Sequence, residues 1–205
     1  MVQVPNSAPH SAIEFARPTD DELSEAARRV VHGFSSAGVS IACAESLTAG
    51  LLSATVATVP GASAVLRGGV VVYATELKAS LGGVPRDVLD ADGAVAPTTA
   101  RYLAAHVREA CGATLGVALT GVAGPEPQEG KPVGQVFIGI ADGTKATAQL
   151  AGNVLFRHNY ADKQATSDIL IGGDRETIRR LSVSAALSSC SDWLAEFVVD
   201  GKQRR

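Results

Sequence analysis

The 205-residue chain sets 18 Lys and Arg against 21 Asp and Glu, a net charge of −3, so charge alone draws it neither to nucleic acid nor to an acidic membrane surface. Hydrophobic residues reach 46% while aromatic residues are only 4%, so the core must be packed from Ala, Val, Leu and Ile in thin helix-on-sheet layers. Cys43, Cys111 and Cys190 are too few and too scattered for a disulfide framework or a zinc site, and they read as core thiols in a reducing compartment. The length suits one domain, no leader pattern opens the chain, and no apolar run approaches the ~18 residues of a membrane span, so a cytoplasmic protein with a small-molecule partner is expected.

Residues 1–18 hold Pro5, Pro9 and Pro18 with little hydrophobic periodicity, which predicts an irregular arm before a domain over 19–200 and a short tail at 201–205. Thr19-Asp20-Asp21-Glu22 is a capping-box pattern opening an amphipathic helix that ends at Gly38. Val39 to Ala44 is a short continuous apolar run, as in a strand buried on both faces, and it leads through Glu45-Ser46 into a helix from about Thr48 to Thr58. Gly68 to Tyr73 gives a second strand, rich in valine. A helix capped by Thr75 follows and closes at Gly82-Gly83, with a turn or helix near Pro85 to Leu89.

Pro97 opens a helix through Cys111, and Leu115 to Leu119 is a third buried strand. Thr120 to Pro132 is too rich in Gly and Pro for regular structure, and loops of that length in compact domains are often functional. Val133–Ala141 and Lys145–Leu150 read as a hairpin turning at Asp142-Gly143, and Val154–Tyr160 suggests a further strand. Residues 161–172 carry no clear pattern, and Asp174 caps a long final helix. The fold class is therefore α/β: one three-layer α/β/α domain with a mixed, mainly parallel sheet.

In such sheets ligands bind beyond the carboxyl ends of the strands. Glu45-Ser46, Tyr73 with Lys78 beyond it, and Thr120-Gly121 all lie at strand ends and should meet on one rim. A strand-to-helix turn leaves backbone N–H groups free and puts the positive end of the helix dipole beside them, which suits an anion or an oxyanion. Ser46 sits in that turn, either as a cap or as a nucleophile. A serine hydroxyl needs a neighbouring base, and no histidine here is well placed, so Lys78 is the better candidate if burial lowers its pKa from about 10.4 toward 7–8. Tyr73 would orient Lys78 or relay its proton, or serve merely as a strand-end ring.

Taken together, Glu45-Ser46-x-Thr48-x-Gly50, Val59-Pro60-Gly61, Gly69-Val70-Val71-x-Tyr73 with Lys78, Gly93-Ala94-Val95, Thr120-Gly121-x-Ala123-Gly124-Pro125, Lys131-Pro132-Val133-Gly134 and Gly173-Asp174-Arg175 resemble the CinA C-terminal domain family over roughly residues 20–198. The resemblance implies deamidation of nicotinamide mononucleotide to nicotinate mononucleotide and ammonia, without a cofactor or a metal, by a stand-alone protein that self-associates. It implies Ser46 as nucleophile, Tyr73 and Lys78 as its activating pair, and Glu45, Thr48, Gly50, Thr120, Gly121, Ala123, Gly124 and Arg175 around the nucleotide substrate, with Arg175 suited to the phosphate. Ala49 stands where the family usually has glycine, and Glu126-Pro127 replaces further glycines, so a methyl would crowd the substrate and a carboxylate would repel its phosphate. Two other readings stay open: a catalytically silent nucleotide-binding or regulatory module, and an amidase for a related small amide.

Overall fold

The computed structural model describes residues 11–161, 163 and 167–203, the side chains of 200–203 excepted. In chain order the elements are β1 (Ser11–Glu14), α1 (Asp20–Ala37), β2 (Ile41–Glu45), α2 (Leu51–Ala57), a 3-10 turn at Ala62–Ala64, β3 (Leu66–Val71), α3 (Thr75–Ser80) and α4 (Arg86–Asp92). Then follow α5 (Pro97–Ala110), β4 (Leu115–Gly121), β5 (Val136–Ala141), β6 (Ala146–Leu150), α6 (Ala151–Asn159), β7 (Ile169–Gly172) and α7 (Arg175–Gln203). The main sheet runs β3-β2-β4-β5-β6, parallel across its first three strands and antiparallel across β4-β5-β6, so it is mixed as the sequence predicts.

Side-chain alternation along the strands decides which layer lies where. Ile41 and Cys43 on β2 and Leu115, Val117 and Leu119 on β4 point to one face, where they pack with α1, α2, α6 and α7 around Phe34, Leu52, Ile178 and Leu187. Ala42, Ala44 and Ala118 point to the other face, against Leu103, Ala104 and Val107 of α5. That second face is paved with small residues because the α5 backbone rests on it. A methyl added at Gly116 would lie 1.9 Å from the Ala104 carbonyl oxygen, and one at Gly139 would lie 2.0 Å from that of Ala100. The absence of a Cβ at Gly116 and Gly139 is what permits this close approach.

Four local expectations change. Ser11–Glu14, expected in an irregular arm, forms β1 and pairs in parallel with β7 in a separate two-stranded sheet. This strand is held through its backbone and buries little side chain, so hydropathy gives no sign of it. The run predicted as a strand from Val154 to Tyr160 is the helix α6, because Ala151, Val154 and Leu155 fall on one helical face and bury together. The α3 cap is Ala74 and not Thr75, which is the first helical residue and turns its hydroxyl to Glu129. The last helix extends through Gln203, into the segment expected as a tail. His10 and the rest of 1–10 lie outside the described residues.

The capping box at Thr19 is present in full, with Glu22 N–H donating to the Thr19 hydroxyl and Thr19 N–H to the Glu22 carboxylate. The Asp174 carboxylate likewise accepts the Thr177 N–H at 2.7 Å and starts α7. No helix among the described residues is long and apolar enough to cross a membrane.

Candidate active site

The turn after β2 is built around Glu45. By strand alternation its side chain falls on the face of Ile41 and Cys43, beneath the start of α2, and it is buried. Its carboxylate accepts the N–H groups of Gly50 at 3.0 Å, Leu52 at 2.9 Å and Ser53 at 2.8 Å, and the Ser53 hydroxyl at 2.7 Å. A negative group at a helix N-terminus satisfies orphan donors and complements the dipole at once. Glu45, expected to face the substrate, is therefore spent on the helix, and neither Ser46 nor Thr48 caps α2. Gly50 occupies the N-cap with φ 95, a left-handed backbone that favours glycine.

Releasing Ser46 from capping leaves its hydroxyl to a different partner. Lys78 Nζ lies 3.0 Å from Ser46 Oγ and donates to the Val72 carbonyl at 3.0 Å. Lys78 is only 2% exposed, and burial brings its ammonium down to about 8, against the opposing negative charges of Glu129 and then Glu76. The Ser46 backbone is itself tied down, its N–H donating to the Leu119 carbonyl on β4 at 2.9 Å. The Leu47 and Thr48 N–H groups make no hydrogen bond among the described residues.

Ser46, with Lys78 buried behind it and outside the lining, borders a cleft of about 80 Å³ lined by Ser46, Leu47, Tyr73, Gly121, Val122, Ala123, Gly124, Glu126, Gln128 and Arg175. The three strand ends thus meet on one rim. Arg175 closes one side, with Nη1 donating to the Gly124 carbonyl at 2.6 Å and Nη2 to the Tyr73 hydroxyl. Tyr73 is 53% exposed and two residues past the end of β3, and this contact turns its hydroxyl to Arg175 and not to Lys78. Thr120 does not line the cleft, since its buried hydroxyl donates to the Ala94 carbonyl at 2.6 Å. Thr48 is fully buried, and its hydroxyl has no partner among the described residues.

The profile of the CinA C-terminal domain family matches residues 23–194. The chain belongs to that family. A CinA-like protein of Frankia casuarinae is 46% identical over 157 residues, covering 76% of this chain and 32% of that protein. A competence-damage inducible protein of Desulforamulus reducens is 40% identical over 158 residues, covering 77% of this chain and 34% of that protein. The chain therefore spans about a third of the length of these curated relatives. Among solved structures, the competence/damage inducible protein CihA of Agrobacterium tumefaciens aligns with a TM-score of 0.70 at 29% identity, covering 84% of this chain and 94% of that one. A CinA superfamily protein of Klebsiella pneumoniae shares the fold, with a TM-score of 0.74 at 24% identity over 85% and 98% of the two chains.

Within this CinA C-terminal domain, Ala49 takes φ 50, so the glycine expected there reflects backbone conformation. Its methyl is exposed and does not line the cleft, contrary to the expected crowding. Glu126 does line it. Sequence reasoning also passes over Arg179, whose Nε and Nη2 donate to the Leu47 and Thr48 carbonyls at 3.2 and 3.0 Å. One signal for it exists: Arg179 lies four residues after Arg175, on the same helical face.

Proposed function

We propose that this chain is a serine amidohydrolase that deamidates nicotinamide mononucleotide to nicotinate mononucleotide and ammonia. The observation that carries this reading is the buried Lys78 amine 3.0 Å from the hydroxyl of Ser46, which itself lines the cleft and is followed by free backbone donors. A lysine brought down to about 8 is in part neutral near physiological pH, so it accepts a proton where a solvated lysine does not.

Ser46 Oγ attacks the carboxamide carbon while its proton passes to Lys78 Nζ. The new C–O bond forms as the C=O electron pair moves onto oxygen, and the Leu47 and Thr48 N–H groups, which make no hydrogen bond among the described residues, would receive that charge. One such donor is worth roughly 10²–10³ in rate. Lys78 then returns the proton to the nitrogen as the C–N bond breaks and ammonia leaves. Water, deprotonated by the same amine, hydrolyses the acyl-serine ester to the carboxylate and restores Ser46.

The cleft is small beside the ~300–1,000 Å³ of typical ligand pockets, so it takes the carboxamide and part of its ring. The ribose phosphate would extend outward past Arg175, the single Lys or Arg among the lining residues. Glu126 on the same rim favours a second reading, an amide lacking the phosphate.

The test is ammonia release from nicotinamide mononucleotide, nicotinamide riboside and free nicotinamide by wild type, Ser46→Ala and Lys78→Ala. Release from the mononucleotide that both substitutions abolish is the expected result. Turnover confined to the unphosphorylated amides moves the reading to the second substrate class, and nucleotide binding without turnover moves it to a silent module.

A further inference from the structure

Glu129 stands just outside the cleft lining, at the point where the long loop between β4 and β5 folds back on itself. Gln128 and Lys131 bond each other through their backbones, N–H to carbonyl at 3.1 and 2.8 Å, so Glu129 is carried on a closed turn. Its own backbone sits at φ 51, in the left-handed region. The carboxylate spans two segments that are remote in sequence. Oε2 accepts the Ala94 N–H at 3.0 Å, and Oε1 accepts the Thr75 hydroxyl at 3.5 Å. Thr75 is the first residue of α3, the six-residue helix that carries Lys78. Gly93 lets the carboxylate approach, because a methyl there would lie 3.1 Å from Oε2.

We propose that Glu129 is the positioning residue for Lys78, tying the start of α3 to the loop at Ala94 and supplying the negative charge that faces the buried ammonium from outside its own helix. This rests on the amidohydrolase reading of the Ser46–Lys78 pair. Ser46 and the Val72 carbonyl are neutral, Glu45 is committed to the start of α2, and Glu76 lies on α3 itself. Burial drives Lys78 down to about 8, and Glu129 opposes that more than Glu76 does.

The chemistry gives this opposition a purpose. A lysine that only lost its proton easily would not retain the one taken from Ser46 long enough to hand it to the departing nitrogen. The Glu129 charge holds the ammonium at the poise the reaction needs, and the Thr75 and Ala94 contacts keep that charge at a constant distance.

Glu129→Gln removes the charge while leaving a carbonyl oxygen to accept the Ala94 N–H and an NH₂ group that can donate to the Thr75 hydroxyl. The readouts are the NMR titration of the Lys78 side chain in the full chain, assigned by its loss in Lys78→Met, and the pH profile of kcat/KM for ammonia release. In Glu129→Gln, the titration midpoint and the acidic limb of the profile should both move to lower pH by about half a unit or more, and further than in Glu76→Gln. Glu129→Asp, which draws the charge back, should give a smaller move in the same direction, and it serves if the glutamine variant does not fold. A Lys78 midpoint that stays in place in folded Glu129→Gln overturns the proposal. A moved midpoint in a protein that releases no ammonia even as wild type upholds the pairing and removes the amidohydrolase reading instead.

Discussion

Arg179 grips the Leu47–Thr48 peptide just beyond Ser46, its Nε–H donating to the Leu47 carbonyl at 3.2 Å from the far side of α2 in sequence. Because a trans peptide is planar, holding the Leu47 carbonyl also sets the direction of the Thr48 N–H. The guanidinium takes the Thr48 carbonyl as well and is braced by Glu176 at 2.6 Å. Arg179→Ala should cost roughly 1–3 kcal/mol of stability by urea unfolding, as hydrogen bonds from charged groups do. It should lower kcat more than it raises KM, because the turn carries the nucleophile and its neighbouring donors. Arg179→Lys, with one compact donor group, should recover only part of either loss.

Glu45 offers a second test of the same turn. Glu45→Gln keeps the size of the side chain but replaces one acceptor with an NH₂ group facing N–H donors. Buried donors left unpaired cost about 1–3 kcal/mol each, so a loss of at least 2 kcal/mol is expected in chemical unfolding. Retained stability in this variant would show that water satisfies the α2 start equally well.

Lys78 makes stability and activity respond to pH in a definite direction. Its folded value of about 8 lies below the ordinary 10.5, so between those pH values the unfolded chain binds more protons than the folded one. Stability should therefore rise as pH climbs through that window, by up to roughly 3 kcal/mol. Below about 8 the penalty of the buried ammonium is present in full. Ammonia release should rise with pH around 8, as Lys78 of the folded protein becomes neutral, and level off before the stability does. Lys78→Met, which fills the space without charge, should abolish turnover, raise Tm at pH 7 and flatten the alkaline rise in stability. Thermal melts from pH 7 to 10.5 on the two proteins settle this.

Ala49 sits at φ 50, where an L-residue with a Cβ costs about 1–2 kcal/mol. Glycine there frees the unfolded chain and gives back about 0.4–1 kcal/mol, so the net effect of Ala49→Gly should be a gain of about 0.5–1 kcal/mol. The exposed methyl is outside the cleft lining, so kcat/KM should change little. A fall in activity with unchanged stability would mean that the methyl reaches bound substrate.

The amino-acid sequence by itself determines the sheet and its two unlike faces. Ile41, Cys43, Leu115, Val117 and Leu119 alternate with Ala42, Ala44, Gly116 and Ala118, so period-two sterics assign the thick and thin layers before any contact is known. The helix ends at Thr19 and Asp174 are equally local, since each cap lies within three residues of the N–H it serves. The meeting of Ser46, Tyr73 and Lys78 at strand ends follows from the same alternation of strands and helices. What each polar group does there was decided by tertiary structure. Glu45 reads as a substrate contact until α2 takes its carboxylate, and Thr120 does so until the Ala94 carbonyl takes its hydroxyl. Arg179 acts on a carbonyl 132 residues away, and Glu129 on an N–H 35 residues away. Strand β1 depends on a backbone partner at the opposite end of the chain. Hydropathy and spacing record burial and local period, whereas a hydrogen-bond partner brought in by folding leaves no periodic trace.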